Sequence, residues 1–379
     1  MTAVTQAFLP EDYGFMSRAL QLAAQGLYTT TPNPRVGCVL VKDGVVIGAG
    51  WHESTGQPHA EINALSDSFT KVGAGGTAQG GLAVTKGATA YVTLEPCSHH
   101  GRTPPCTNAL IRAGVTRVVA AMQDPNPLVA GQGLAQLASA GIAVSSGLME
   151  TEARALNIGF VSRMTRGRPW LRLKVAISLD GKTALNNGVS QWITGPDARR
   201  DAHAWRARSC AVLTGFGTVR DDDPRLTVRE VATPRQPRPI VVDSRLETPL
   251  TAKLLAGGAL IFAARPDTEK TSRLTARGAE VVVLPNPAGK VDLSAMLQEL
   301  GRRGYNEVLV EAGAKLNASL LREGLVDELL IYQAPVLLGD KARGMADLPE
   351  LMELAGARRL AITDRRMVGT DQRILALLN

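Results

Sequence analysis

The sequence predicts two α/β domains in tandem. In both halves, short apolar segments with strand character alternate with segments of helical periodicity, which is typical of layered α/β folds. The length of 379 residues suits two or three domains, and four of the five histidines lie within the first 150 residues. We therefore place one domain at 1–150, a connector with a basic run at 151–168, and a second domain at 169–379.

The first half is predicted to form three α/β/α layers. Asp12 can cap the first helix, and another helix starts near His59. Residues 66–88 hold six glycines and few large apolar side chains, so we expect a mobile insertion there. The predicted strands are 36–41, 45–47, 90–94, 115–121 and 142–144, and the other predicted helices are 106–113 and 132–140.

The second half alternates in the same way but shows no internal repeat of the first. Seven short, β-branched segments predict strands, and three segments predict helices between them. The predicted strands are 171–178, 211–214, 240–243, 260–263, 281–284, 307–311 and 329–332, and the predicted helices are 196–206, 293–302 and 316–321.

Composition limits the classes of partner. Lysine and arginine exceed aspartate and glutamate by 42 − 35 = 7, which favours anionic ligands. Aromatic residues make up only 4%, too few to suggest a base-stacking surface. There is no apolar run of about 20 residues for a membrane span and no secretory signal at the N-terminus. The four cysteines are too sparse for a disulfide scaffold, so we expect a reduced, cytoplasmic protein.

One constellation in the first half predicts a zinc site. His59, Cys97 and Cys106 supply one imidazole and two thiolates, which are ligands that zinc favours. Three protein ligands leave a fourth position for water, and zinc lowers the pKa of such a water towards neutrality. Glu61 lies two residues after His59, where it can act as the catalytic acid and base. This order of residues is the signature of zinc nucleobase deaminases, except that eight residues rather than two separate the cysteines.

Two other interpretations remain open: a structural zinc site, or core thiols that bind no metal. His99 or His100 could complete a structural site with four protein ligands. The first half would then be a zinc-stabilised scaffold without catalytic function. The position of Glu61 favours catalysis.

Three segments of the first half carry a resemblance to a known family. They are residues 93–106 (TLEPCSHHGRTPPC), 31–34 (TPNP) and 122–127 (MQDPNP). They resemble the deaminase domain of the bifunctional riboflavin-biosynthesis deaminase/reductase family, which has a cytidine-deaminase-like fold. The resemblance implies that Asn33 helps to form the pyrimidine site, and that His52, His99 and Arg102 contact the ribose phosphate.

The second half lacks the Rossmann fingerprint, because Gly215 and Gly217 are not followed by the third glycine. Residues 308–314 nevertheless predict a strand that enters a small-residue turn and then a helix, where backbone N–H groups can bind a pyrophosphate. Residues 174–182, 190–194 and 222–229 look like the reductase domain of the same family, which is similar to dihydrofolate reductase.

The resemblance implies roles for individual residues of the second half. Lys174 is a candidate proton donor or electrostatic aid to the sugar. Ser244 together with Arg245 suits a 2′-phosphate and so favours NADPH over NADH. The implied cofactor contacts are Ala176, Trp192, Thr218, Asp222, Ser244 and Gly313, and the implied substrate contacts are Ser190, Arg206, Leu226, Arg229 and Glu311. Without the resemblance, Trp192 could be a core residue, Asp222 part of a solvated turn, and Arg206 a helix-surface charge.

Two functions follow as hypotheses. The first is a bifunctional enzyme with one Zn²⁺ per chain and NADPH. It would deaminate 2,5-diamino-6-ribosylamino-4(3H)-pyrimidinone 5′-phosphate and then reduce the ribosyl group of 5-amino-6-(5-phosphoribosylamino)uracil to ribityl. The resemblance also implies a homo-oligomer, with neither nucleic acid nor membrane as partner. The alternative is a zinc deaminase that acts on RNA and carries a C-terminal binding module, which the low aromatic content and scattered basic residues disfavour.

Overall fold

The computed structural model describes residues 8–71, 84–98 and 104–378. It divides into two compact units, Met1–Arg166 and Gly167–Asn379. The first unit therefore extends beyond the predicted boundary at 150. Most of the predicted connector is helical in this structure and belongs to the first unit.

A five-stranded sheet with helices on both faces forms the first unit. The strand order is β2-β1-β3-β4-β5, with β1 antiparallel to β2 and β3, and with β3, β4 and β5 parallel. The strands are β1 Gly37–Lys42, β2 Val45–Trp51, β3 Thr89–Val92, β4 Arg117–Ala120 and β5 Ala143–Ser146. The helices are α1 Pro10–Gln25, α2 Ala60–Lys71, α3 Cys106–Arg112, α4 Gln132–Ser139, α5 Glu150–Leu156 and α6 Ile158–Arg166.

Alternating side chains of β1 divide the core of this unit into two layers. Leu40 packs into a cluster with Leu110 of α3 and Leu137 of α4. Val39, on the opposite face of the strand, packs into a cluster with Met16 of α1 and Phe160 of α6. This alternation confirms the predicted three-layer α/β/α arrangement.

Close contacts place α2, which carries Glu61, directly on the sheet. A Cβ atom added to Gly48 would lie 2.2 Å from the carbonyl oxygen of Ala64, and one added to Gly50 would lie 2.5 Å from its nitrogen. Any side chain at these two positions would therefore push the helix away. The helix continues to Lys71, so the predicted insertion at 66–88 is wrong for 66–71, while 72–83 lie outside the described residues.

The second unit is built on a nine-stranded sheet. Its order is β11-β10-β9-β8-β12-β6-β13-β16-β15, with parallel pairing from β11 to β13 and antiparallel pairing of β16 with both neighbours. A separate pair joins β7 and β14. The strands are β6 Trp170–Ile177, β7 Lys182–Ala184, β8 Ala211–Gly215, β9 Arg238–Val242, β10 Leu260–Ala263, β11 Glu280–Val283, β12 Glu307–Val310, β13 Glu328–Gln333, β14 Arg343–Gly344, β15 Leu360–Val368 and β16 Asp371–Leu378.

Helices lie between the strands of this unit. They are α7 Pro196–Arg208, α8 Phe216–Asp222, α9 Thr268–Thr275, α10 Leu293–Arg302 and α11 Ala314–Arg322. Apolar side chains of the central strands, such as Leu173, Leu213 and Val310, form the main core with Leu297 of α10 and Leu320 of α11. The sequence did not predict α8, α9 or the β15–β16 hairpin.

None of the helices in the described parts of the chain is both long enough and apolar enough to span a bilayer.

Candidate active sites

Three predicted zinc ligands meet where α2 and α3 begin. The Nδ1 atom of His59 lies 3.6 Å from Sγ of Cys97 and 3.3 Å from Sγ of Cys106, and the three ligand atoms all lie within 4.8 Å of one another. Two ligand atoms on a tetrahedral zinc are about 3.5–3.8 Å apart, given Zn–N and Zn–S bonds of about 2.0 and 2.3 Å. The backbone N–H of Cys106 also donates to Sγ of Cys97 at 3.4 Å, which favours its thiolate form. The residues present therefore fit a zinc ion.

Glu61 lies beside these ligands in the first turn of α2. Its side chain is buried, with 3% of the residue exposed. Burial and the negative charge of Cys97 raise the pKa of Glu61 to about 7. A carboxyl group with this pKa can both accept and release a proton near neutral pH.

The structural-zinc alternative requires His99 or His100 as a fourth ligand. Among the described residues, the metal-binding cluster has the three members His59, Cys97 and Cys106. His99, His100 and Arg102 lie outside the described residues, so their predicted roles stay predictions.

Asn33 and His52 are joined by a hydrogen bond next to the zinc ligands. Nδ2 of Asn33 lies 3.0 Å from Nε2 of His52, and Nδ1 of His52 lies 3.1 Å from the carbonyl oxygen of Pro58. The carbonyl can only accept, so the proton of the neutral ring is on Nδ1, and Nε2 accepts from Asn33. The rings of His52 and His59 are 5.4 Å apart. Both ring nitrogens of His52 are engaged within the protein, and only 3% of the residue is exposed.

Three of the predicted residues in the second unit form a cluster of charged side chains. Nε and Nη2 of Arg206 donate to the two carboxylate oxygens of Glu311 at 2.5 and 2.9 Å, and Nζ of Lys174 lies 3.9 Å from Oε2 of Glu311. Burial raises the pKa of Glu311, but Arg206 and Lys174 outweigh it and hold the pKa at about 2. Burial and Arg206 lower the pKa of Lys174, although Glu311 opposes them. Arg206 is thus an ion-pair partner and not a helix-surface charge.

The predicted cofactor residues follow the carboxyl ends of neighbouring parallel strands. Ala176 lies near the end of β6, Thr218 follows β8, Ser244 follows β9 and Gly313 follows β12. These four strands are neighbours in the order β9-β8-β12-β6. Ligands of open α/β sheets bind at this edge, beyond the carboxyl ends of the strands.

Open space at two glycines supports a cofactor cradle there. A Cβ atom added to Gly217 would have no neighbour within 4 Å, and one added to Gly313 would meet only Oγ1 of Thr218 at 3.9 Å. These glycines therefore do not serve close packing within the protein. Gly313 also precedes the first turn of α11, whose free N–H groups suit a pyrophosphate.

Leu226 is buried, whereas several of the other predicted contacts are more exposed. Trp192 is 70% exposed and stacks against the guanidinium of Arg199 at 4.6 Å, so it is not a core residue. Asp222 lies at the end of α8, and partial desolvation of its carboxyl group and the neighbouring Asp221 raise its pKa. Ser190 lies before α7, and Oγ of Ser244 accepts from the backbone N–H of Val291 at 3.1 Å.

Comparisons with known proteins cover nearly the whole chain. The family model for the cytidine and deoxycytidylate deaminase zinc-binding region matches residues 10–122, and the model for the RibD C-terminal domain matches residues 169–373. The riboflavin biosynthesis protein RibD of Escherichia coli (strain K12) is 49% identical over 374 residues, which are 95% of this chain and 98% of that protein. The chain belongs to the RibD family.

Further relatives agree with this membership. RibD of Haemophilus influenzae (strain ATCC 51907 / DSM 11121 / KW20 / Rd) is 46% identical over 376 residues, 96% of each chain. A structure of Acinetobacter baumannii RibD has a TM-score of 0.88 at 42% identity and covers 97% of this chain and 99% of its own. A Thermotoga maritima structure, described as a diaminohydroxyphosphoribosylaminopyrimidine deaminase/5-amino-6-(5-phosphoribosylamino)uracil reductase, has a TM-score of 0.84 at 31% identity with the same coverage.

Membership in the RibD family decides between the two functional hypotheses. This chain is a deaminase and reductase of riboflavin biosynthesis, and the predicted fold of both domains is confirmed. The comparisons give no support to the alternative of a deaminase that acts on RNA.

Sequence reasoning missed two side chains that hold loops at the deaminase site. Asn157 holds the backbone of Arg35, which lies two residues after Asn33. Its Oδ1 accepts from the N–H of Arg35 at 2.8 Å, and its Nδ2 donates to the carbonyl of Arg35 at 2.9 Å. Glu95 lies two residues before Cys97, and its carboxylate accepts hydrogen bonds from four backbone N–H groups. Its donors are Asp124 at 3.0 Å, Gly131 at 2.9 Å, Gly133 at 2.8 Å and Leu134 at 3.2 Å.

A third missed residue lies in the reductase unit. Nδ1 of His203 accepts from the backbone N–H of Arg229 at 3.1 Å. The one available signal in the sequence was its position on the predicted helix, three residues before Arg206.

Proposed function

We propose that the two units catalyse consecutive steps on one phosphoribosyl pyrimidine. The first unit would deaminate 2,5-diamino-6-ribosylamino-4(3H)-pyrimidinone 5′-phosphate, and the second would reduce the ribosyl group of the resulting uracil with NADPH. The observation that carries the proposal is the meeting of His59, Cys97 and Cys106 beside a buried Glu61. The name of the Thermotoga maritima relative, which states both activities, supports the same pair of reactions.

In the first unit, three residues would bind the zinc ion and a fourth would transfer the proton during deamination. His59, Cys97 and Cys106 would hold one zinc ion, which supplies the Lewis acidity that activates a water molecule. Glu61 takes a proton from this water as its oxygen bonds to the ring carbon that carries the amino group. Glu61 then gives the proton to the departing nitrogen, so that ammonia leaves as the carbon–nitrogen bond breaks.

Asn33 binds the pyrimidine in this proposal, and His52 keeps its amide in place through their 3.0 Å hydrogen bond. The phosphate role of His52 stays a prediction, since it requires the ring to exchange one of its present partners. His99 and Arg102 are proposed to bind the ribose phosphate.

Residues of the second unit place the sugar against the cofactor. NADPH supplies the hydride that adds to C1′ of the ribosyl group. As the bond from C1′ to the ring oxygen breaks, Lys174 donates the proton that this oxygen takes up. Glu311 keeps Lys174 in place at 3.9 Å and also fixes Arg206. Arg206 uses three of its five N–H groups on Glu311 and the carbonyl of Thr227, so two remain for substrate.

The other substrate and cofactor contacts complete the reductase proposal. Arg229 contributes its guanidinium to the substrate phosphate, and Leu226 and Ser190 border the sugar. The cofactor is proposed to contact Ala176, Trp192, Thr218, Asp222, Ser244 and Gly313. Arg245, exposed beside Ser244, favours NADPH through its 2′-phosphate.

We also propose a homo-oligomer formed through β15. This strand lies at the edge of the nine-stranded sheet. Three apolar residues of β15 pair with even-numbered residues of β16, so their side chains lie on one face of the sheet. They are Leu360, Ile362 and Met367, which are 41%, 60% and 61% exposed. A second copy would cover this apolar edge.

We propose the reducing cytoplasm as the location of the protein, because both zinc thiolates must stay reduced.

Two variants test whether the activities reside at separate sites. Glu61→Gln should stop ammonia release and leave the reduction of supplied 5-amino-6-(5-phosphoribosylamino)uracil unchanged. Lys174→Met should lower the reduction rate about 100-fold or more and leave ammonia release unchanged. Both rates are measured on each purified variant, with thermal unfolding as the control for folding. Loss of both activities in either folded variant would contradict the proposal.

A further inference from the structure

The segment that carries Leu226 and Arg229 is held by side chains. Residues 224–229 lie outside the helices and strands of the structure. Nη1 of Arg206 donates to the carbonyl of Thr227 at 3.0 Å. Oε1 of Gln236 accepts from the N–H of Val228 at 2.7 Å, and its Nε2 donates to the carbonyl of the same residue at 3.2 Å. The conformation of this segment therefore depends on a few specific side chains.

His203 holds the next residue of the segment. It lies on α7 one turn before Arg206, with 7% of its surface exposed. Its Nδ1 accepts from the backbone N–H of Arg229 at 3.1 Å. The accepting nitrogen carries no proton, so the proton of the neutral ring is on Nε2.

The surroundings of His203 keep it neutral. Burial and the positive charges of Arg206 and Arg229 lower the pKa of His203 to about 4, against the opposing charges of Glu311 and Glu230. The hydrogen bond to Arg229 therefore persists throughout the neutral pH range. One helix thus fixes two backbone groups of the segment, through Arg206 at Thr227 and through His203 at Arg229.

We propose that His203 is a positioning residue for the phosphorylated substrate of the reductase, because it fixes the backbone from which the Arg229 side chain extends. This inference rests on the proposed function, in which Arg229 binds the substrate phosphate. Phosphate binding depends on donors that are already in place before the anion arrives, because ordering them on binding costs affinity. His203 does not touch the reacting atoms, so its loss should weaken substrate binding and leave the chemical step unchanged.

The test compares an accepting and a non-accepting replacement of similar size. In His203→Asn, Oδ1 occupies nearly the position of the imidazole Nδ1 and can accept from Arg229. In His203→Leu, no acceptor remains. We expect the leucine variant to raise KM for 5-amino-6-(5-phosphoribosylamino)uracil about 10-fold, with kcat and the KM for NADPH within about 2-fold of the unchanged protein. The asparagine variant should restore KM to within about 3-fold of that of the unchanged protein, since it replaces the hydrogen bond.

Inorganic phosphate provides a second measurement in the same samples. As a competitive inhibitor of the reductase, it should bind more weakly to the leucine variant and normally to the asparagine variant. A second non-accepting variant, His203→Met, is included in case leucine packs poorly, and thermal unfolding identifies any variant that fails to fold.

The outcomes separate this inference from the proposed function. If the unchanged protein does not reduce the uracil compound, the proposed function fails, and the inference fails with it. If it does, unchanged KM in the folded leucine and methionine variants would overturn the role of His203 alone. Equal losses in the asparagine and leucine variants, or a fall in kcat without a rise in KM, would also overturn it.

Discussion

The four hydrogen bonds of Glu95 make it the strongest test of how the deaminase site is held. Its buried carboxylate accepts the backbone N–H groups of Asp124, Gly131, Gly133 and Leu134 at 2.8–3.2 Å. In Glu95→Gln, one oxygen becomes an NH₂ group that faces two of these donors. Hydrogen bonds to a charged group contribute about 1.5–3 kcal/mol each, so the local structure should lose about 3 kcal/mol.

Hydrogen–deuterium exchange measures this loss where it occurs. A loss of about 3 kcal/mol corresponds to about 100-fold faster exchange in the peptide that covers 124–134, because about 1.4 kcal/mol is tenfold. Since Cys97 follows Glu95 by two residues, we also expect faster transfer of zinc to a chelator. Reduction of supplied substrate by the second unit should not change.

Glu152→Gln provides the matched control, because Glu152 is an exposed carboxylate of the same unit. If exchange and zinc transfer are the same in the Glu95 and Glu152 variants, Glu95 does not hold this loop, and the reasoning is refuted.

Two further predictions concern buried polar groups of the first unit. Asp12→Asn should lower the free energy of unfolding by about 2 kcal/mol at neutral pH, because Arg117 and Tyr91 hold the pKa of Asp12 at about 2, below the ordinary 3.8. Because folding lowers the pKa of Asp12, its ionised carboxylate stabilises the folded protein. The contribution is complete above pH 3.8 and disappears as pH falls towards 2, so denaturation curves of the two proteins should converge there, and a constant difference would contradict this cause. Asn157→Leu removes both hydrogen bonds to the backbone of Arg35, so deaminase KM should rise several-fold with zinc content retained. An unchanged KM would show that this contact does not position Asn33.

Residues whose role follows directly from the chemistry of their own side chain could be predicted from the sequence. His59, Glu61, Cys97 and Cys106 stand in a pattern whose chemistry is specific, and the structure brings the three ligands together. Glu311 and Lys174 were found through the resemblance to a known family, and Glu311 forms ion pairs with both Lys174 and Arg206.

Residues that act through a distant backbone group were not predictable in this way. Asn157 contacts Arg35, 122 positions away, and Glu95 contacts segments 29 to 39 positions away. Nothing in the local sequence marks an asparagine or glutamate as the acceptor for a particular N–H group. Such contacts require the fold to be known first.

The missed elements of the second unit have a physical explanation in their side chains. In β16, the buried positions at the start are Asp371 and Arg373, so the strand lacks an apolar alternation there. All residues of β15 except two are exposed, and α9 buries only Leu274. Segments that bury few apolar side chains give no regular periodic signal.

The most direct test of the central claim is a mass-spectrometric reaction trace on the zinc-loaded protein. The diaminopyrimidinone ribotide is supplied with NADPH or without it. Our account predicts that an amino group is replaced by oxygen in both samples, and that two hydrogen atoms are added only where NADPH is present. Absence of the first change in zinc-loaded protein would contradict the deaminase assignment, and deamination without any later reduction would contradict the assignment of the second unit.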